Sequence, residues 1–219
     1  MRSSSSDGSS ALLPAHHKNY SATQFYEWLR GPEDFDHPLN RWEEAGIHLI
    51  FHSAANSGAE DFKKSLQEPG AVVVYLGHSA LDFKNKRSLG LTPKGLHTAE
   101  IPPETLTSLL KKSKASLVIL ASCASNTCVG KLSGGPAVVV TDSGDNLKTW
   151  SFDWAQALGA FLFVLLGFEV GGSGQPTPRK KGRGTINEAL DASAEAFKNQ
   201  NTTDRFKLAN GDGSTIIFP

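Results

Sequence analysis

The chain has 219 residues, of which 39% are hydrophobic and 20% charged, and its 22 Lys and Arg residues balance 22 Asp and Glu residues to a formal net charge of zero. This composition is typical of one globular domain, or at most two small ones, and argues against a disordered chain. Neutrality also argues against nucleic acid and anionic membrane as partners, because both select basic surfaces. The two cysteines, Cys123 and Cys128, are too few for a disulfide framework or a four-ligand zinc site. With no secretory signal before them, we expect free thiols and a cytoplasmic location.

The N-terminal part of the chain divides into a tail and the start of one domain. Residues 1–18 are rich in serine and carry little to bury, which predicts a flexible tail followed by a single domain over 19–219. In the segment 21–30, Phe25, Trp28 and Leu29 share one helical face and predict a short docked helix. The prolines in 31–40 predict a loop.

Four continuous apolar runs rich in β-branched residues follow, and each is typical of a strand buried on both faces. They are IHLIF at 47–51, AVVVYL at 71–76, SLVIL at 116–120 and AVVVT at 137–141. Helical patterns lie between them at 60–66 and 103–112, and a third follows the last run at 152–168. The alternation predicts an α/β fold with a mostly parallel central sheet and helices on both faces.

The last third of the chain contains two helices and a connecting loop. The apolar segment 155–168 is shorter than the roughly 20 residues of a membrane span, so we expect a buried helix. The loop 171–184 contains glycines, prolines and four basic residues, which predict an exposed, flexible, solvated segment. A helix over 185–199 then precedes a predicted hairpin formed by RFKLA, NGDG and STIIF at 205–218.

Polar residues follow three of the predicted strands, where open α/β sheets carry their functional groups. His78 follows the second run, Cys123 the third and Asp142 the fourth. If the second and third strands are neighbours, the histidine and the cysteine lie within reach of each other at one edge of the sheet. Such a pair serves nucleophilic catalysis, in which the imidazole supports the thiolate and backbone N–H groups nearby hold the oxyanion.

His78 precedes Cys123 by 45 residues, near the spacing of about 50 residues in caspase-type enzymes. The motifs GHS at 77–79 and LVILASCAS at 117–125 resemble the His and Cys motifs of caspase-like peptidases of clan CD, in particular the CHAT branch. LGLTP at 89–93 and IPPETLTSLL at 101–110 resemble the strand and helix between them, and the likeness extends over residues 45–200. The resemblance implies a caspase-like three-layer sandwich, with Cys123 as nucleophile and His78 as catalytic histidine.

Two departures from the family pattern leave an alternative open. Ser79 stands where glycine commonly follows the histidine, and ASCAS differs from the caspase signature QAC[RQG]G. Both favour the alternative of a catalytically inactive caspase-like interaction module. Ser79 and Ser122, which adjoin the two motif residues, are added as candidates for contact with the substrate.

The resemblance also suggests where the substrate is selected. In related members the region after the strand that follows the cysteine helps to form the pocket for the residue before the cleaved bond, and an acid there favours Arg or Lys. Asp142 and Asp145 are the corresponding candidates, although Asp-Ser-Gly-Asp-Asn is also ordinary turn chemistry. For Cys128 we expect a small buried side chain rather than a redox partner. The histidines lack zinc-binding spacing, so we expect no metal.

The sequence therefore predicts a thiol protease that cleaves a protein substrate through a Cys/His dyad, with a basic residue as the candidate cleavage site. We expect no organic cofactor, and no pattern for nucleotide binding follows a strand. The chain carries no recognisable sensor or repeat domain, which suggests activation by a partner protein or by processing. A role in stress or immune responses is implied by the resemblance alone.

Overall fold

The computed structural model describes residues 50, 58–81, 87–91, 99–142, 152–170, 176–199 and 205–218. The predicted tail, the helix over 21–30 and, apart from Ile50, the strand over 47–51 lie outside these residues. The helices are α1 (Ala59–Ser65), α2 (Pro103–Lys111), α3 (Phe152–Leu165) and α4 (Ile186–Asn199). The strands are β1 (Val72–Leu76), β2 (His78–Leu81), β3 (Arg87–Leu91), β4 (Ala99–Ile101), β5 (Leu117–Ala121), β6 (Ala137–Thr141), β7 (Phe168–Val170), β8 (Pro176–Pro178) and β9 (Phe206–Asn210).

A four-stranded sheet in the order β1-β5-β6-β9 forms the centre of the described fold. Strands β1, β5 and β6 are parallel, and β9 is added antiparallel at the edge. Every residue of β5 and of β6 is buried, because strands with neighbours in the sheet and helices on both faces exclude water. The predictions of three apolar strands and of a mostly parallel α/β sheet are confirmed.

Alternate residues of the strands face two separate apolar clusters, as the two-residue repeat of a strand requires. Leu117 and Ile119 belong to the cluster that contains Phe161 of α3 and Phe197 of α4. Val118 and Leu120 point the other way, into a cluster with residues of α1 and α2. One pair of helices therefore covers each face of the sheet.

A smaller antiparallel sheet in the order β2-β3-β4 follows β1 directly. Its strand β3 includes residues 89–91 of the predicted short strand. Strand β2 starts at His78, two residues after the end of β1. The chain thus leaves the central sheet and enters the small sheet at the candidate histidine.

Two predictions in the last third of the chain are wrong. Helix α3 ends at Leu165 rather than at 168, because Gly167 adopts a left-handed conformation (φ 89°) and Phe168 starts β7. The terminal hairpin does not form: β9 pairs with β6, and Ile216 forms an isolated bridge with Thr185. An open edge of β6 offers β9 more backbone partners than a short hairpin would.

Within the predicted loop 171–184, residues 176–178 form a strand and Arg179 forms an ion pair. Residues 176–178 form β8, which pairs with β7, and Arg179 is held by a bidentate contact with Glu188 of α4 at 2.8 and 3.5 Å. Only 12% of the Arg179 side chain is exposed, so this residue departs from the solvated loop that was predicted. Lys180 and Lys181 are exposed as expected.

Candidate functional site

Cys123 lies in a tight turn over residues 122–125, the cysteine turn, which follows the central strand β5. The turn is closed by hydrogen bonds from the Ser122 N–H to the Leu120 carbonyl (3.1 Å) and from the Ser125 N–H to the Ser122 carbonyl (3.2 Å). Cys123 is 8% exposed, and its thiol is not in a disulfide. The residue after it, Ala124, is left-handed (φ 46°, ψ 38°) and is the one non-glycine residue with positive φ in the part of the chain that the structure describes. Such strain is costly and concentrates at functional sites.

Buried hydroxyl groups attach this turn to strand β6. The Ser125 hydroxyl donates to the Leu120 carbonyl (2.6 Å) and accepts the backbone N–H of Thr141 (2.8 Å). The Thr141 hydroxyl donates to the Ser122 carbonyl and accepts the Ser125 N–H at 3.3 Å. Since Ser125 and Thr141 are fully buried, these bonds are shielded from water and hold the strained turn in place.

The histidine and cysteine segments leave the sheet side by side. Strand β1 pairs in parallel with β5, and the last residues in register are Leu76 and Ala121. His78 and Cys123 each come two positions after these partners, so both follow the same end of the paired strands. The Gly77 N–H reaches the Ala121 carbonyl at 3.4 Å and continues the pairing. The sequence prediction that these two strands are neighbours is confirmed.

Two further hydrogen bonds fix the strand that starts at His78. The Ser79 hydroxyl donates to the backbone carbonyl of Cys123. The Tyr75 hydroxyl donates to the carbonyl of Gly90 at 2.6 Å, and Gly90 is the residue paired with His78 across the β2-β3 ladder. One bond ties β2 to the cysteine turn, and the other ties its partner strand to the central sheet.

Asp142 directly follows β6 at the same edge of the sheet, and its carboxylate is bonded on two sides. It accepts a hydrogen bond from the side-chain amide of Asn126 (2.9 Å) and forms an ion pair with Lys207 of β9 (3.0 Å). Asn126 belongs to the 3-10 turn Ser125–Thr127, which begins two residues after Cys123, so the carboxylate is linked to the cysteine turn. Asp145 lies outside the described residues.

The two serines proposed to contact substrate are buried in this conformation. Ser79 is 9% exposed and its hydroxyl is bonded to Cys123. Ser122 is completely buried, and its hydroxyl has no hydrogen-bond partner within the described ranges. Their contact with substrate stays a prediction, whereas Ser79 has a second role that the sequence did not reveal.

Cys128 is fully buried in the apolar cluster that includes Leu106 and Leu110 of α2, which confirms its interpretation as a packed side chain. Among the residues that the structure describes, no three His, Cys, Asp or Glu side chains converge to hold a metal ion. No helix in the described ranges is long and apolar enough to cross a membrane.

Sequence reasoning missed several residues that organise the site: Tyr75, Ser125, Asn126, Thr141 and Lys207. Tyr75 gave a faint signal, as the one side chain with a hydroxyl inside an apolar strand run. Thr141 gave a similar signal at the end of its run. Asn126 and Lys207 gave none, because the sequence does not show that either side chain meets Asp142: Lys207 does so through the pairing of β9 with β6, and Asn126 through the position of the turn beside β6.

Comparison of the chain with known protein families, curated proteins and solved structures finds no significant match.

Proposed function

We propose that the protein is a cysteine endopeptidase with a caspase-like, CHAT-type fold, in which Cys123 is the nucleophile and His78 the acid and base. The observation that carries the proposal is the parallel pairing of β1 and β5, whose last partners in register, Leu76 and Ala121, come two positions before His78 and Cys123 respectively. Adjacent strands are about 4.8 Å apart, a separation that a cysteine and a histidine side chain are long enough to bridge. The strained turn at Ala124 and the helices on both faces of the sheet are in keeping with this assignment.

The proposed reaction uses only groups of the chain and water. The Cys123 thiolate attacks the carbonyl carbon of the scissile peptide, and backbone N–H groups of the two strand ends stabilise the oxyanion. The imidazolium of His78 transfers its proton to the leaving amine, and the C–N bond breaks to leave an acyl-enzyme. His78 then takes a proton from water, the resulting hydroxide attacks the thioester, and the acid product leaves with the thiolate restored.

For the substrate we propose a protein cleaved after a basic residue, with Asp142 and Asp145 as the acids that select it. The ion pair of Asp142 with Lys207 bears on this preference, because the substrate cation must compete with Lys207 for the carboxylate. Both side chains of this pair are more than a third exposed, and such pairs contribute only about 0–1 kcal/mol. Substitution Lys207→Ala is expected to lower KM for Arg and Lys peptides about two- to fivefold while leaving neutral peptides unaffected.

The burial of Cys123 bears on regulation. With 8% of the residue exposed, a peptide reaches the sulfur only after the surrounding segments move apart. We therefore propose activation by a partner protein or by processing; the proposed role in a cytoplasmic stress or immune response comes from the resemblance of the His and Cys motifs and not from this burial. The same burial favours the second candidate function, an inactive caspase-like interaction module, in which the thiol is simply a core residue.

Labelling and turnover separate these two functions. Wild type, Cys123→Ala and His78→Ala are incubated with a fluorogenic Arg and Lys peptide library and with a peptide electrophile that reacts with thiols, before and after limited proteolysis. Cys128→Ala is the matched control, since it removes the other thiol of the chain from a buried position beside the same strand. The proposal predicts labelling at Cys123 and turnover in wild type and in the control.

Both substitutions of the dyad are expected to lower turnover by at least about a hundredfold, and His78→Ala to slow the labelling of Cys123. Mass spectrometry of tryptic peptides identifies the labelled residue. If wild type is neither labelled nor active under either condition, the interaction module replaces the protease.

A further inference from the structure

The hydroxyl of Ser79 joins strand β2 to the cysteine turn by a hydrogen bond. It donates to the backbone carbonyl of Cys123, so the residue after the candidate histidine is fastened to the candidate nucleophile itself. At 9% exposure the bond is protected from water, which makes it stronger and more directional than a surface contact. This bond lies beyond the parallel ladder, whose last partners in register are Leu76 and Ala121.

The turn on the other side of this bond requires such support. Ala124 holds a left-handed conformation that a residue with a Cβ adopts at a cost. Ser125 and Thr141 fix the far end of the turn to β6, but they reach it from the side opposite β1. The contact from Ser79 therefore supplies the restraint on the β1 side.

We propose that Ser79 is a positioning residue, which sets the separation of His78 and Cys123 by fastening strand β2 to the cysteine turn. This inference rests on the proposed function of the two residues as a dyad. Ser79 does not touch the substrate in this role and acts through the backbone of Cys123. The departure from glycine after the histidine then serves the site instead of obstructing it.

Three variants test the proposal. Ser79→Ala removes the hydroxyl, and Ser79→Thr retains a hydroxyl donor at the same position. Ser113→Ala is the matched control, because the Ser113 hydroxyl also donates to a backbone carbonyl of a distant segment, that of Leu66 at 2.8 Å. Ser113 precedes β5 and Cys123 follows it, so the control lies at the opposite end of the sheet.

The first readout is the rate at which iodoacetamide alkylates Cys123 as a function of pH. A histidine held beside the thiol lowers the pH at which alkylation starts, so the profile of wild type should lie below that of His78→Ala. Ser79→Ala should move most of the way to the His78→Ala profile, whereas Ser79→Thr and Ser113→Ala should keep that of wild type. Asp142 and Lys207, the charged pair at this edge, are present in all of these variants.

The second readout does not depend on access to the thiol. The titration of His78 is followed by NMR, with its signal assigned by comparison with His78→Ala, in wild type and in Cys123→Ala. If the two residues are coupled, removal of the thiol shifts the titration midpoint of His78 in the wild-type background. In the Ser79→Ala background the same removal should produce a much smaller shift.

The outcomes distinguish the inference from the function on which it rests. A loss of about ten- to a hundredfold in kcat/KM for Ser79→Ala, with the altered pH profile, supports both. Altered titration without any proteolysis in wild type supports the positioning role and refutes the protease. A variant Ser79→Ala that loses stability like Ser113→Ala, yet keeps the wild-type pH profile and titration, overturns the inference.

Discussion

Gly77, the residue between β1 and β2, is the position at which a single methyl group should disturb the candidate site most clearly. A Cβ built on Gly77 would lie 2.4 Å from the Tyr75 hydroxyl oxygen and 2.6 Å from the ring carbon that bears it. Both distances are far shorter than van der Waals contact, so the Tyr75 ring must move in Gly77→Ala. The ring is not free to do so without loss, because its hydroxyl is bonded to Gly90 and the ring forms a T-shaped pair with Phe62 at 6.0 Å between centroids.

The cost of that movement is estimated from its parts. Loss of the partly buried hydrogen bond to Gly90 contributes about 1 kcal/mol, and loss of the T-shaped contact with Phe62 contributes about 0.5–1.5 kcal/mol. Forcing a methyl group into packed surroundings costs about 1–3 kcal/mol. Since the ring escapes part of the clash by giving up its contacts, these amounts overlap, and we expect Gly77→Ala to lower the free energy of unfolding by about 2–4 kcal/mol.

A double-mutant cycle isolates the clash. Tyr75→Leu removes the hydroxyl and the ring atoms that a Cβ would meet, while it keeps an apolar side chain in the core. In this background Gly77→Ala should cost less than about 1 kcal/mol, which corresponds to a coupling of about 2 kcal/mol between the two positions. Urea unfolding followed by tryptophan fluorescence gives the four free energies. If Gly77→Ala costs the same in both backgrounds, or nothing in wild type, the reasoning is refuted.

Two further predictions concern stability. Thr141→Val should lower the free energy of unfolding by about 1–3 kcal/mol, because the buried carbonyl of Ser122 loses one of its two donors and the Ser125 N–H loses an acceptor. Thr141→Ser keeps a hydroxyl and should lose clearly less, and equal losses in urea unfolding would argue against these bonds. Hydrogen bonding from Arg179 and from the Thr185 N–H holds the pKa of Glu188 below its ordinary value of 4.5, so its contribution to stability is complete above pH 4.5 and is lost as the pH falls through the depressed value. Glu188→Gln should flatten this part of the acid unfolding profile, and an unchanged profile would contradict the role of the ion pair.

Local patterns in the sequence were sufficient for the elements of the central sheet. The runs at 71–76, 116–120 and 137–141 became β1, β5 and β6, because continuous β-branched segments have no stable place except inside a covered sheet. The helix over 103–112 formed with Pro103 at its start, where a missing N–H costs nothing. The same patterns indicated that His78 and Cys123 end neighbouring strands, since sequential parallel strands tend to pair.

Tertiary structure alone decided how the site is held together. The segment at 205–218 contains ordinary turn residues, yet β9 joins the edge of β6 and brings Lys207 to Asp142. The bonds from Ser79 to Cys123 and from Tyr75 to Gly90 likewise join segments that are distant along the chain. Composition and periodicity report which face of an element is buried, because that depends on neighbours a few residues away. They do not report which hydroxyl meets which carbonyl, because that depends on the packing of the whole sheet.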